Sequence, residues 1–277
     1  MRALPLILAL GSAAVLAPGF LEMLVRAGFT RPNFRGRELP VPLGAMVPAA
    51  ALLALIPLTL IDRLGPSEVF QPELLPIAIY VLGIAFLGLI DDAMGHGGSG
   101  PRGWRGHGAA VMRGEFSTGA LKAAGSLGLA LLAMSYLSLS DGHWILATAV
   151  LLLATNLFNL LDLRPGRSVK AFVLLGAGLS IGAWEVRPLW ALGLFVGPAL
   201  IAGAYDLRER AMLGDTGSNL LGALAGLWLV LTLSPTGQLI ALILLAGITV
   251  YVEISSISAL VERTPGLREL DSWGRPS

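Results

Sequence analysis

Residues 74–92 read LLPIAIYVLGIAFLGLIDD, an uncharged run from Leu74 to Ile90 closed by the paired acids Asp91 and Asp92. An α-helix rises about 1.5 Å per residue, so about 20 apolar residues match roughly 30 Å of hydrocarbon. The stretch therefore predicts a membrane-crossing helix over about 74–91, with its acids at the bilayer surface. Working outward, the same reading finds eight more windows, at about 3–25, 41–61, 118–138, 144–162, 169–184, 188–204, 216–234 and 238–260. The sixth and seventh of the nine are short and meet at the tight Trp184-Glu185-Val186-Arg187-Pro188 turn. The first follows a single Arg2 and lacks a small-residue cleavage site, so it reads as a retained helix and not as a signal peptide.

Composition agrees with this reading. The 277 residues are 55% hydrophobic and 13% charged, with a mean hydropathy of +0.76, whereas soluble domains carry about 25% charged residues. So little charge excludes a nucleic-acid binder, and so much apolar sequence excludes a disordered chain. The runs are continuous, unlike the alternating segments of about 10 residues in outer-membrane barrels. With no cysteine there is no disulfide, thiolate metal site or cysteine nucleophile.

The basic residues set the expected orientation. With nine spans, the loops after the first, third, fifth, seventh and ninth hold sixteen of the 19 Lys and Arg, leaving Arg2, Arg63 and Arg187 for the other side. Basic loops stay cytoplasmic. The expected fold is thus all-α: a polytopic transmembrane helix bundle of about nine spans, N-terminus outside and C-terminus cytoplasmic, in one integral membrane domain over 1–277. The longest connection, 92–117, is Gly-rich and basic, and no second domain or linker is visible. Small residues at Gly125 to Gly128 and Gly222 to Gly226 suit close helix packing, and no pair of broken helices points to an inverted-repeat transporter.

Ionisable residues at membrane depth are costly and point to function. Four acids fall at expected cytoplasmic helix ends: Asp91 and Asp92, Asp162 in Asn156-Leu-Phe-Asn159-Leu-Leu-Asp162, and Asp215 in Gly214-Asp215-Thr-Gly-Ser218-Asn219. Adjacent carboxylates plus a third from another helix supply the hard oxygens that Mg²⁺ takes alongside water and phosphate. Asn156, Asn159 and Asp162 are spaced i, i+3, i+6, a drift of about 60° that keeps them on one helical stripe. Asp215 stands where an N-cap would, beside backbone N–H groups that can meet an anion. Arg102, Arg105, Arg113, Lys122, Arg164, Arg167 and Lys170 surround these acids in sequence, and cations beside a metal-binding acid cluster suit a diphosphate.

Blander roles exist for each. An Asp at a helix end is commonly a cap, and a basic loop is commonly a topology determinant. Glu253, within the last span, has no basic neighbour and suits a structural role as well as a functional one. His96 and His107 read as solvated loop residues, and His143 lies on the outer side.

On these residues the chain resembles the polyprenyl-phosphate N-acetylhexosamine-1-phosphate transferase superfamily, which includes phospho-MurNAc-pentapeptide translocase and UDP-GlcNAc:undecaprenyl-phosphate GlcNAc-1-phosphate transferase. The similarity covers about 85–230. Gly88-Leu-Ile-Asp91-Asp92 resembles the family's Asp-Asp motif, Asn156-x-x-Asn159-x-x-Asp162 its Asn-x-x-Asn-x-x-Asp motif, and Gly214-Asp215-Thr-Gly-Ser218 its Gly-Asp-x-Gly-Ser motif. Lys122 resembles a family lysine that faces the nucleotide.

The resemblance implies transfer of a sugar-1-phosphate from a UDP-activated amino sugar to undecaprenyl phosphate, with release of UMP, in cell-envelope glycan synthesis at a bacterial cytoplasmic membrane. It implies Mg²⁺, with Mn²⁺ as a substitute, and a homodimer as the assembly. Asp215 would be the principal metal ligand, and Asp91 and Asp92 would position metal or deprotonate the lipid phosphate. Asn156, Asn159, Asp162 and Lys122 would shape the nucleotide side. The sequence departs from the family where Leu163-Arg164-Pro165-Gly166 follows Asp162, and where the tail after Val261 carries no histidine. Those departures motivate an alternative, a non-catalytic homologue that binds lipid phosphate or scaffolds envelope enzymes. A transporter is a third reading, disfavoured because the acids are one-sided.

Overall fold

The computed structural model describes residues 1–66, 68–95 and 117–276, and of residue 253 the backbone only. Twelve α-helices make up almost all of it. In chain order they are α1 (Leu4–Arg26), α2 (Met46–Leu64), α3 (Leu74–Met94), α4 (Thr118–Ser135), α5 (Asp141–Leu161), α6 (Arg167–Ala183), α7 (Arg187–Ala191), α8 (Gly193–Leu207), α9 (Gly214–Thr232), α10 (Pro235–Ile254), α11 (Ile257–Arg263) and α12 (Pro265–Ser272). A small antiparallel hairpin, β1 (Thr30–Pro32) with β2 (Glu38–Pro40), follows α1 in register Arg31 to Leu39. A 3₁₀ turn, Leu43–Ala45, leads into α2.

Six helical stretches are long and apolar enough to cross a membrane: Leu4–Arg26, Leu43–Leu64, Leu74–Met94, Thr118–Ser135, Asp141–Leu161 and Pro235–Val252. Their outer faces carry large bare side chains, such as Val15 at 84% exposure and Ile243 at 63%. A folded chain leaves so continuous an apolar surface uncovered only where lipid replaces water. The protein is a helical membrane protein.

Each apolar window of the sequence lands on helix, with two interruptions that it hides. The seventh breaks at Leu192 into α7 and α8, just ahead of Gly193. The ninth breaks at Ser255-Ser256, where the Ser256 hydroxyl accepts from Ala259 N–H and starts α11. The hairpin is a further element that the sequence does not announce.

At the centre stands α9, buried without a break from Thr216 to Val230. It packs on α5, α3, α6 and the 3₁₀ turn, while α1 packs on α8 and α2, and α4 on α3 and α5. The expected small-residue contact is present at Gly222, where an added Cβ would lie 2.6 Å from the Cα of Thr155 on α5.

Helix ends gather at two opposite poles. At one, Arg187 pairs with Glu73, His143 with Gln238 at 3.1 Å and Trp144 with Ser135 at 3.2 Å. The other, richly charged pole joins the hairpin loop, the C-terminus of α3, the N-terminus of α4, the α5–α6 and α8–α9 connections and the tail. Its backbone is tied by Met212 N–H to Pro40 O, Leu43 N–H to Met212 O and Gly44 N–H to Leu213 O, each 2.9 Å.

Candidate functional site

The charged pole is organised by how α3 meets the start of α9. Gly88, one turn before the acids, lets the two backbones touch: a Cβ there would sit 2.7 Å from the carbonyl oxygen of Asp215 and from the Cα of Thr216. That approach delivers Asp92 to the first turn of α9, whose own N-cap residue, Leu213, offers no side-chain acceptor. Asp92 Oδ1 accepts from Asp215 N–H at 3.0 Å, and Oδ2 accepts from Thr216 N–H at 2.8 Å and Thr216 Oγ1 at 2.6 Å. A carboxylate at a helix N-terminus satisfies orphan donors and complements the dipole, and here it comes from another helix. Gly214 makes the geometry attainable, because its φ of +71 and missing Cβ bring the chain against the Asp92 oxygens. Asp92 is 6% exposed, and Arg31 of the hairpin donates to its main-chain carbonyl.

Asp91 and Asp215 are differently placed. Lys122, early in α4, extends its ammonium between them, 2.7 Å from Asp91 Oδ2 and 2.6 Å from Asp215 Oδ2. Their side chains retain 18% and 36% exposure, and that of Lys122 20%. The three form an open two-carboxylate, one-ammonium cluster at the pole, with the Thr118 hydroxyl also bonded to Asp91. Asp91, Asp92, Lys122 and Asp215, separated by up to 124 residues in the chain, thus meet as a unit.

The asparagine motif joins in part. Asn159 Oδ1 accepts from Ser218 Oγ at 3.1 Å, which links α5 to α9 below Asp215. Asn219 Nδ2 donates to the Asp215 carbonyl at 2.6 Å. Asp162 accepts from Ser168 Oγ at 3.2 Å, across the turn into α6. Asn156, one turn earlier on α5, is exposed.

Three of the expected basic neighbours face elsewhere. Arg167 donates to both oxygens of Asp271 in α12, at 2.9 and 3.2 Å, and Lys170 donates to the carbonyls of Leu270 and Asp271 at 2.9 and 2.6 Å. Arg275 pairs with Asp271 at 2.7 Å and donates to Pro165 O at 2.8 Å. Arg164 lies over the Phe34 ring at 4.6 Å and pairs with Glu262 at 3.4 Å. His96, His107, Arg102, Arg105 and Arg113 lie outside the described residues, as does the side chain of Glu253.

Sequence reasoning passed over several residues. Asp206, 3% exposed at the end of α8, accepts from Gly166 N–H at 2.6 Å and Leu213 N–H at 3.3 Å, and so fixes both loops that flank the cluster. Glu209, 1% exposed, turns inward at a φ of +51 toward Asn33, Arg35 and Arg37. The only signal for Asp206 is an acid ending an apolar run, which is also what an ordinary helix end looks like.

The tail contact carries a pH prediction. Burial would raise the Asp271 carboxyl, but hydrogen bonds from Arg167 and Arg275 outweigh it and hold the group below the usual carboxylate range. Because the docked value lies below the free one, the stabilisation is complete above the free group's range and is lost as pH falls through the docked value. The 265–276 segment is expected to resist proteolysis at neutral pH and to be cut by pepsin only once the pH has fallen below the usual carboxylate range. Asp271→Ala should expose it at neutral pH, and a tail equally resistant in both proteins would refute the account.

The donor set accommodates a hard divalent cation. Among the described residues no three His, Asp or Glu side chains gather into a metal cage, but Mg²⁺ is usually held by one or two carboxylates with water and phosphate completing its shell. Asp91 and Asp215 are such a pair and already attract one cation, that of Lys122. Asp92 has both oxygens hydrogen-bonded by α9 and acts as a cap that positions Asp215. Comparison with models of known protein families and with curated protein sequences finds no match to either.

Proposed function

We propose that the protein transfers a sugar-1-phosphate from a UDP-activated amino sugar to undecaprenyl phosphate, releasing UMP, as a step of envelope glycan synthesis at the bacterial cytoplasmic membrane. The observation that carries the reading is the Lys122 bridge between Asp91 and Asp215, set at the membrane-surface pole by the Asp92 cap. An oxygen of the lipid phosphate attacks the donor's β-phosphorus, the phosphoanhydride bond to the α-phosphate breaks, and the electron pair leaves with UMP. Such a reaction asks mainly for positioning and for stabilisation of spread negative charge. Asp91 and Asp215 would hold Mg²⁺, which supplies charge neutralisation at the diphosphate. Lys122 pairs directly with anionic oxygens, and Asn159, fixed by Ser218, lines the nucleotide side together with Asn156 and Asp162.

The orientation belongs to the same reading. Nine crossings, with the N-terminus outside and the C-terminus cytoplasmic, would assign sixteen of the 19 basic residues to cytoplasmic loops, the side such residues keep to. One domain over 1–277, with its catalytic part at about 85–230, accounts for the shared core.

The test is UMP release by detergent-purified protein from a panel of UDP-sugars. Release should require both undecaprenyl phosphate and Mg²⁺ or Mn²⁺, and should fall to background with EDTA. Binding of undecaprenyl phosphate without UMP formation by folded protein would reject turnover in favour of the non-catalytic homologue.

A further inference from the structure

Along the outside of the bundle, where α1 meets α8, runs a groove of about 210 Å³ lined by Ala14, Ile201, Ala204, Tyr205, Arg208 and Arg210. Its walls are apolar because small side chains, Ala14 and Ala204, leave the helix contact open there. Its mouth is basic. Arg208 and Arg210 are exposed, and neither has a carboxylate partner among the described residues.

That bareness has a local cause. The chain reads Arg208-Glu209-Arg210, and an acid between two arginines would ordinarily neutralise them. Glu209 instead adopts a φ of +51 and is withdrawn to 1% exposure, where Arg35 at 3.4 Å and Arg37 at 3.9 Å take its charge. The backbone is locked in this form by Glu209 N–H to Asp206 O at 2.9 Å and Arg210 N–H to Tyr205 O at 3.0 Å. Withdrawing the acid leaves two guanidinium groups at the end of a hydrocarbon-sized slot.

We propose that this groove is a binding site for an anionic phospholipid, with its phosphate between Arg208 and Arg210 and part of an acyl chain along Ala14, Ile201 and Ala204. Guanidinium forks match phosphate oxygens in pairs, and basic pockets between membrane helices recruit anionic headgroups. The apolar part excludes a free phosphate ion as the preferred occupant, and α1, at the rim, already presents bare aliphatic side chains to lipid. The inference does not depend on the transferase reading, and its test involves no donor, metal or turnover.

Delipidated full-length protein is mixed in detergent with equal amounts of phosphatidylglycerol and phosphatidylcholine, and retained lipid is measured by native mass spectrometry. Phosphatidylglycerol should be retained about tenfold or more over phosphatidylcholine. The preference should vanish in the Arg208→Gln/Arg210→Gln protein. Ala204→Leu, which fills the groove and keeps both arginines, should lower phosphatidylglycerol retention by severalfold. Equal retention of the two lipids, or a preference that survives the double substitution, overturns the site. Full retention in Ala204→Leu reduces it to a headgroup contact and overturns the groove, and displacement of phosphatidylglycerol by sub-stoichiometric undecaprenyl phosphate would assign the groove to a different lipid.

Discussion

Asp215→Asn is expected to leave the protein as stable as its parent while lowering lipid-dependent UMP release by about a hundredfold or more, the scale on which removal of one preorganised electrostatic contact acts. The expectation rests on a division of labour within one residue. What Asp215 gives the fold comes from its backbone: its N–H meets Asp92 and its carbonyl accepts from Asn219. Asparagine retains both atoms. What the substitution removes is the negative charge that meets Lys122 at 2.6 Å, and with it one of the two carboxylates open to a divalent cation. Thermal stability of the purified variant, measured beside UMP release, separates the two roles. Unimpaired turnover in a stable Asp215→Asn protein would remove Asp215 from the chemistry and with it the proposed reaction.

The second large effect is structural. Gly88→Val would place a branched side chain where even a Cβ lies 2.7 Å from main-chain atoms of α9. Backbone of a buried helix cannot yield as a flexible side chain can, so the overpacking cost should reach the upper end of the usual 1–3 kcal/mol, about 10 °C in the unfolding midpoint. The loss should extend beyond stability, because parting α3 from α9 breaks the Asp92 cap and separates Asp91 from Asp215. Gly128→Val is the matched control: it lies on α4 with nothing within 4 Å of an added Cβ, and should melt within a few degrees of the parent. Equal midpoints for the two variants would show that the α3–α9 contact is not a tight one.

The contrast between these glycines marks what the sequence can and cannot convey. Gly125 and Gly128 look alike in a run of small residues, yet an added Cβ at Gly125 would meet Leu87 at 2.8 Å and one at Gly128 meets nothing. Helices were legible because hydrophobic length is a local property. The acids were legible because charge at membrane depth is rare. The breaks at Leu192 and Ser255-Ser256 were not, since a short interruption hardly changes the hydropathy of a long window. Nor was the role of Asp92: adjacent to Asp91 in the chain, it differs from it only in facing α9, a relation that spans 124 residues. Asp206 and Glu209 were missed for the opposite reason, since a single acid near a helix end reads as solvated until burial shows otherwise.

The Asp92 cap also bears on how the protein is made. By hydropathy α9 is not among the helices long and apolar enough to cross a bilayer, because its opening residues, Gly-Asp-Thr-Gly-Ser-Asn, are polar; its N-cap residue, Leu213, supplies no side-chain acceptor for the first amides. That acceptor is on α3, synthesised more than a hundred residues earlier. The acceptor for its first turn is therefore already in the chain when α9 is made, and the cluster at Lys122 is complete only once α9 has docked on α3.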